Sequence, residues 1–111
     1  MRCVTNVKIR LSREPEANGF GKGIVQLLEG VERLGSINKA TGEMGMAYSK
    51  AWKIINAVEK EFGILLIARD GARGSALTPE AKEMISRYHE INDAAQKAAL
   101  EVFNKYYGPS E

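Results

Sequence analysis

The sequence has few of the residues that cross-link chains or hold metals. Its 111 residues include one cysteine, Cys3, and one histidine, His89. An intrachain disulfide is therefore excluded, and a cysteine- and histidine-rich metal site is not expected. The chain also lacks an apolar run of the roughly 20 residues that a membrane-spanning helix needs, and residues 1–12 lack the apolar core of a secretory signal. We expect one cytoplasmic domain with no cofactor, no metal and no membrane contact.

The sequence also lacks a large excess of charge of one sign. The formal net charge is +2. Basic residues outnumber acidic ones between residues 46 and 76, and acidic residues lead between residues 80 and 111. This distribution fits either an ordinary solvated surface or a cationic face that meets a polyanion. Because the chain offers neither a histidine-based nucleophile pair nor a convincing carboxylate pair, we do not expect an enzyme.

Hydrophobic periodicity predicts a mainly α-helical fold with a small β component. Alternating apolar residues predict an amino-terminal strand at residues 7–11, and Phe20 begins a short return strand. Helical spacing of apolar residues then predicts three helices, at residues 22–34, 37–44 and 47–62. Gly35 and Gly45 are suited to end the first two helices, and Ser36 is suited to begin the second.

The second half of the chain predicts a hairpin and a long helix. The apolar run at residues 64–67 is expected to be a strand that pairs with residues 76–77 across a glycine-containing turn. Thr78 and Pro79 are typical of a helix start, and no helix breaker follows before residue 107. This order predicts a winged helix-turn-helix fold with an amino-terminal strand and a long carboxyl-terminal dimerisation helix. The predicted units are the winged domain at 1–78, the dimerisation helix at 79–107 and a tail at 108–111.

The third predicted helix has one apolar face and one polar face. At 100° per residue, Ala51, Ile55, Val58 and Phe62 fall within a narrow arc. The opposite side is polar and free of acids, and it carries Ser49, Lys53, Asn56 and Lys60. The first face predicts packing against the core, and the second predicts an exposed cationic ridge.

Several motifs in the stretch GSINKATGEMGMAYSKAWKIINAVEKEFGILLIARDGARGSALTPEA are typical of one regulator family. They are Gly35-Ser36-Ile37, Met44-Gly45-Met46, the run from Tyr48 to Trp52, and Leu77-Thr78-Pro79. Through them the chain resembles, over nearly its whole length, the DNA-binding domain of the molybdate-responsive regulators, the ModE family. A fainter resemblance to the LysR type rests on Glu59, Gly63, Leu66, Arg69 and Leu77-Thr78. We favour the molybdate branch because the tyrosine-to-tryptophan run is the more specific signal.

The resemblance implies a recognition helix in the major groove of DNA and a dimer formed through the last helix. The sequence departs from the family pattern in three ways. Ala47 stands where the family usually has a serine or threonine cap, and the predicted wing is shorter than usual. Family members that sense molybdate do so through separate domains, which these 111 residues have no room for. We therefore expect no effector-sensing domain within this chain.

Nine residues are expected to contact DNA: Ser36, Lys39, Tyr48, Ser49, Lys50, Lys53, Asn56, Lys60 and Arg73. In such folds the amino-terminal half of the third helix faces the base edges. Lysine donates to guanine, asparagine pairs with adenine, and serine suits either base. Lys60 and the start of the second helix suit phosphate, and Arg73 at the hairpin tip suits the minor groove. The alternative for each is an ordinary solvated side chain, and we interpret Trp52 as a packing residue.

The last helix carries an apolar stripe that is expected to form the dimer interface. Its members recur at alternating steps of four and three residues, with a break at Asn92; they are Ala81, Ile85, Tyr88, Ala95, Ala99, Val102 and Tyr106. A helix of this length spans roughly 42 Å, which is too long for so small a domain to cover. A second copy is the simplest partner.

These observations predict a homodimeric, DNA-binding transcriptional regulator that reads a roughly palindromic operator. The expected partners are double-stranded DNA and a second copy of the chain. A separate effector or molybdate-binding protein acting in trans is compatible with the sequence, although no residue indicates it. The alternative is a winged-helix adaptor that has lost DNA binding and pairs with another regulator through its long helix.

Overall fold

Four helices and two small hairpins make up the fold. The computed structural model describes residues 4–69 and 74–109, with only the backbone of Arg69. The elements in chain order are β1 (Arg10–Leu11), β2 (Phe20–Gly21), α1 (Lys22–Leu34), α2 (Ile37–Met44), α3 (Tyr48–Phe62), β3 (Ile67–Arg69), β4 (Ser75–Leu77) and α4 (Pro79–Tyr107). The predicted class, mainly helical with a small β component and a long last helix, is confirmed.

The helix boundaries follow from local chemistry. The Ser36 side chain accepts a hydrogen bond from the Lys39 N–H at 3.2 Å, which caps α2 as predicted. Gly35 and Gly45 end α1 and α2 in the left-handed conformation, with φ of 74° and 68°, which glycine adopts without a Cβ clash. Ala47 precedes α3 and makes no side-chain cap bond.

The core is formed by one face of each helix together with β2 and the second hairpin. Its largest fully buried side chains include Phe20, Leu27, Leu28, Ile37, Ile55 and Leu66. Gly30 lets α1 and α2 approach closely, since a Cβ there would lie 3.1 Å from the Cβ of Ala40. Phe20 packs against Tyr88 of α4 in an edge-to-face pair with ring centroids 6.0 Å apart. These contacts join the amino-terminal hairpin, the three short helices and the start of α4.

The predicted strand at residues 64–67 is wrong in position. The first strand of the second hairpin is β3, and it pairs antiparallel with β4 in the register Ile67↔Leu77 and Ala68↔Ala76. Residues 64–66 instead follow the C-cap of α3 without regular secondary structure and bond back to Glu59 in the helix. The Ile64 N–H bonds to the Glu59 carbonyl at 3.2 Å, and the Leu66 N–H bonds to the Glu59 carboxylate at 2.8 Å. These bonds take the backbone donors that a strand partner would otherwise accept.

The predicted amino-terminal strand is shorter than expected. Only Arg10 and Leu11 pair with β2. The alternation at residues 7–11 still marks the half-buried side, since Val7, Ile9 and Leu11 are each partly buried. The backbone of Val7 bonds to a side chain of α4 rather than to a strand.

Three residues of the predicted dimer stripe belong to the core of the single chain. Ala81 is 0% exposed, and Ile85 and Tyr88 are buried beside it. We correct the prediction for these three residues, because side chains enclosed by their own subunit cannot also cover a second copy. After Tyr88 the helix leaves the core, and no residue from 89 to 107 is buried. None of the described helices has the length and apolar character that crossing a bilayer requires.

Candidate nucleic-acid interface

Helix α3 has the two faces that the sequence predicts. Ala51, Ile55 and Val58 are fully buried. The opposite side is exposed, and it presents Ser49, Lys50, Lys53, Asn56 and Lys60. We call these five residues the α3 ridge. Its lysines form no ion pair with any residue in the described ranges 4–69 and 74–109, so their charge faces solvent.

The two acids of α3 both accept hydrogen bonds from other parts of the chain. The Glu59 carboxylate accepts the Leu66 N–H at 2.8 Å. The Glu61 carboxylate accepts the Arg13 N–H at 2.7 Å, the Ser12 hydroxyl at 3.0 Å and the Gly19 N–H at 3.1 Å. The α3 ridge itself contains three lysines and no acid, so the charge of this face is positive.

The donors around Glu61 also stabilise its ionised form. The hydrogen bond from the Arg13 N–H is the largest effect that holds the pKa of Glu61 below its ordinary value, and the Ser12 and Gly19 donors act in the same direction. Arg10 reinforces the same loop by donating to the Ala17 carbonyl at 2.6 Å. The loop at residues 12–19 is thereby fixed to the last turn of the helix that carries the ridge.

The amino-terminal end of α3 presents an aromatic residue beside the ridge. Tyr48 is half exposed and makes an edge contact with Trp52, with ring centroids 6.5 Å apart. Trp52 is partly buried and packs against the core, as its interpretation as a packing residue requires. Tyr48 therefore lies at the surface with its ring direction set by the pair.

The start of α2 and the base of the second hairpin lie together. The Ser75 N–H donates to the Gly35 carbonyl at 3.1 Å, and Gly35 directly precedes the capping residue Ser36. Lys39 is exposed on the first turn of α2. The helix start, with its free backbone N–H groups and partial positive charge, is thus adjacent to the wing. Arg73, predicted at the wing tip, lies outside the described residues.

The outer half of α4 retains the rest of the apolar stripe. Ala95 and Ala99 are partly exposed, and Val102 and Tyr106 are 58% and 68% exposed. Ile91 on the flank is also exposed. These side chains form an exposed apolar surface on the part of α4 that has left the core.

Sequence reasoning missed two polar side chains that organise this surface. For Glu61, the available signal is its place on the last turn of a cationic helix, which suggests an internal partner. The Gln96 side chain bonds to the N–H and the carbonyl of Val7, 89 residues away. No local sequence pattern predicts such a contact. His89 is exposed and lies 2.9 Å from Glu29.

The order of elements, the tight α2–α3 turn and the hairpin before a long helix define a winged helix-turn-helix protein. A family model for bacterial regulatory helix-turn-helix proteins of the LysR family matches residues 24–82, which is more than half of the chain. The chain belongs to this family.

Relatives and solved structures agree with this assignment. The HTH-type transcriptional regulator TdcA of Escherichia coli is 35% identical over 72 residues, which are 65% of this chain and 23% of that protein. An uncharacterized HTH-type transcriptional regulator of Mycobacterium tuberculosis is 36% identical over 78 residues, 70% of this chain and 24% of that protein. The chain therefore spans about a quarter of the length of these relatives.

Two solved structures share the fold. The DNA-binding domain of CbnR in a complex with DNA has a TM-score of 0.60 at 17% identity, with 76% of this chain and 95% of that chain covered. CbnR, described as a LysR family transcriptional regulator, has a TM-score of 0.58 at 17% identity, with 74% of this chain and 28% of that chain covered. At this identity the likeness concerns the fold alone.

The LysR assignment was the fainter of the two resemblances in the sequence. The comparisons support it and do not support the specific molybdate-regulator branch. The preference for that branch rested on the run from Tyr48 to Trp52. In the structure the ends of that run form an aromatic pair, and Trp52 packs on the core, so packing of α3 is sufficient to account for them.

Proposed function

We propose that this chain is the DNA-binding part of a homodimeric transcriptional regulator, with the α3 ridge in the major groove. The observation that carries the proposal is the ridge itself, an exposed helix face with three lysines and no acid. Glu59 and Glu61, the acids of the same helix, accept hydrogen bonds from other parts of the chain. The relatives are named as transcriptional regulators, and one solved structure with this fold is a complex with DNA. These similarities favour a DNA-binding regulator over the alternative of an adaptor without DNA binding.

The ridge supplies the side chains needed to read bases. Lys50 and Lys53 can donate to the O6 and N7 acceptors of guanine, and Asn56 can make a two-point pair with adenine. Lys60, at the far end of the ridge, suits phosphate. Ser36 and Lys39 at the start of α2 form a second phosphate contact, because helix N-termini favour anions. Base contacts then set sequence preference, and phosphate contacts set position and salt dependence.

A second copy supplies the other half-site. We propose that the outer half of α4 forms the dimer contact through Ala95, Ala99, Val102 and Tyr106, because these members of the stripe are exposed in the single chain. Two recognition helices would then read half-sites about 34–36 Å apart, or one helical turn.

The test is DNA binding by the full chain. Bound fragments are selected from the source genome, and affinity for the selected site is measured by fluorescence anisotropy across a range of salt concentrations. We expect the logarithm of the binding constant to fall with the logarithm of salt by about 0.9 per phosphate contact. Lys53→Ala and Asn56→Ala should lower discrimination between the selected site and its single-base variants, by about 1–3 kcal/mol at the base they read.

Phosphate contacts and a control complete the test. Lys60→Ala should weaken binding to every sequence alike and reduce the salt slope by about one contact. Lys97→Ala removes the same charge from an exposed position on α4 and should leave sequence preference unchanged. Affinity and preference that stay at wild-type values in the Lys53, Asn56 and Lys60 variants would refute the proposed reading surface.

A further inference from the structure

Gln96 connects α4 to the amino-terminal segment by hydrogen bonds. It lies two turns after Tyr88, the last buried residue of the helix. The Oε1 atom of Gln96 accepts the Val7 N–H at 3.0 Å, and its Nε2 atom donates to the Val7 carbonyl at 2.5 Å. The same Nε2 lies 3.1 Å from Oδ1 of Asn92, which fixes the orientation of the amide. We call Val7, Asn92 and Gln96 the Gln96 clamp.

The clamp accounts for the break in the apolar stripe. Asn92 stands where the stripe would otherwise continue between Tyr88 and Ala95. Tyr88 is buried in the core of the chain, whereas Ala95 begins the exposed half of the stripe. The polar residue between them bonds within its own subunit. Asn92 thus marks the place where α4 changes from core helix to association surface.

The clamp lies where α4 has little other support. Beyond Tyr88 no described residue of the helix is buried. Residues 6–9 line an open cleft of about 600 Å³ together with parts of α1 and α4, so packing alone does not hold the segment against the helix. The two hydrogen bonds to one backbone unit replace that packing with a directional contact.

A small change of direction at this point becomes a large displacement at the helix end. From Gln96 to Tyr107 the helix rises about 16 Å, so a bend of about 10° at the clamp moves the end by about 3 Å. One base pair of DNA rises 3.4 Å, about the same distance, and turns by about 35°. The direction of the outer helix therefore matters on the scale of a single base pair.

We propose that Gln96 is a positioning residue, which sets the direction of the outer half of α4 and thereby the half-site spacing that the dimer accepts. This inference rests on the proposed function, because it assumes a dimer that reads two half-sites. Gln96 does not touch DNA in this arrangement. It acts through the segment at Val7 and through the helix that carries the partner surface.

The experiment compares half-site spacings. Affinity of the full chain is measured on the selected operator and on versions with one or two base pairs inserted between the half-sites. In Gln96→Glu the carboxylate still accepts the Val7 N–H but cannot donate to the Val7 carbonyl or to Asn92. Gln96→Met keeps the length of the side chain and removes its hydrogen bonds to Val7 and to Asn92. Lys97→Ala is the control on the same helix.

The expected result is a change in spacing profile rather than in general affinity. The wild type and Lys97→Ala should lose about tenfold or more on insertion of one base pair, equivalent to about 1.4 kcal/mol. Both Gln96 variants should lose about threefold or less relative to their own best spacing. The Val7 amide should exchange its hydrogen faster in Gln96→Met, which removes the acceptor of the Val7 N–H. A purely structural role would lower affinity at every spacing equally.

The outcomes separate this inference from the proposed function. If the wild type binds a two-half-site operator and both Gln96 variants keep its spacing profile, the inference is overturned while the proposed function stands. If the wild-type chain binds no DNA, both fail. A wild type that accepts every spacing equally would likewise overturn the role given to the clamp.

Discussion

Thr78 lies between the second hairpin and α4, and its hydrogen bonds connect the start of α4 to the segment that follows α3. Its hydroxyl accepts the Ala81 N–H at 3.0 Å and donates to the Leu65 carbonyl at 2.5 Å. Its own N–H donates to the Leu66 carbonyl at 3.0 Å. The residue is 8% exposed, and its bond to the Ala81 N–H is buried, so water cannot easily replace that bond. Thr78→Val keeps the shape of the side chain and removes only the hydroxyl.

The cost can be worked from the two hydroxyl bonds. Loss of a helix cap destabilises by about 0.5–2 kcal/mol, and a carbonyl left without its donor costs about 1–3 kcal/mol. Leu65 is exposed, so its carbonyl can regain a water and the second value falls toward the lower end. We expect a loss of about 1.5–3 kcal/mol in the free energy of unfolding, or roughly 6–24 °C in Tm for a domain of this size.

The assay is urea and thermal unfolding followed by circular dichroism. Thr78→Ser keeps the hydroxyl and should stay within about 1 kcal/mol of the wild type. Ser36→Ala, which removes one cap bond from a less buried residue, should cost about 1 kcal/mol. The reasoning is refuted if Thr78→Val unfolds within about 0.5 kcal/mol of the wild type, the scatter of an ordinary surface change, or if Thr78→Ser loses as much as Thr78→Val.

Two further predictions concern stability. Gly74 has φ of 90°, and a Cβ there would lie 2.6 Å from the Gly35 carbonyl oxygen. Gly74→Ala should therefore lower the free energy of unfolding by at least about 1–2 kcal/mol. Gly23→Ala is the control: its Cβ would meet nothing within 4 Å, and it should raise the free energy of unfolding by up to about 1 kcal/mol. Equal melting temperatures for these two variants would contradict the geometry. Because the folded-state pKa of Glu61 is lowered, its contribution is present above the ordinary glutamate pKa of about 4.3 and is lost as the pH falls through the lowered value. Urea titrations between pH 6 and about 3, a range that spans the ordinary glutamate pKa, should show a weaker acid-side loss in Glu61→Gln than in the wild type, and parallel curves would argue against the three hydrogen bonds.

Much of the helical framework could be predicted from the sequence because it depends on nearby residues. Ser36, Thr78 and the terminal glycines act within one turn of the helices they begin or end, and the apolar spacing of α3 fixes which side is buried. The exposed ridge follows from the same periodicity. Each of these rules depends on residues close together in the chain, so the sequence alone is enough to apply them.

The short strands could not be placed so well because their hydrogen bonds have competitors elsewhere in the chain. Leu66 was expected in a strand, yet the Glu59 carboxylate takes its N–H. Val7 was expected in a strand, yet Gln96 takes both of its backbone groups. Period-two alternation marks a half-buried segment, but it does not reveal which partner satisfies the backbone.

The sequence by itself determined the helices, their caps and the polar side of α3, since each depends on spacing and on chemistry within a turn. Only the tertiary structure decided which parts of α4 lie inside the subunit and which face outward, because the apolar spacing is the same on both sides of the break at Asn92. Ala81, Ile85 and Tyr88 are buried because the fold places other parts of the chain against them, such as Phe20 against Tyr88. A periodic pattern identifies an apolar face, but the surface that covers it is set by the rest of the fold.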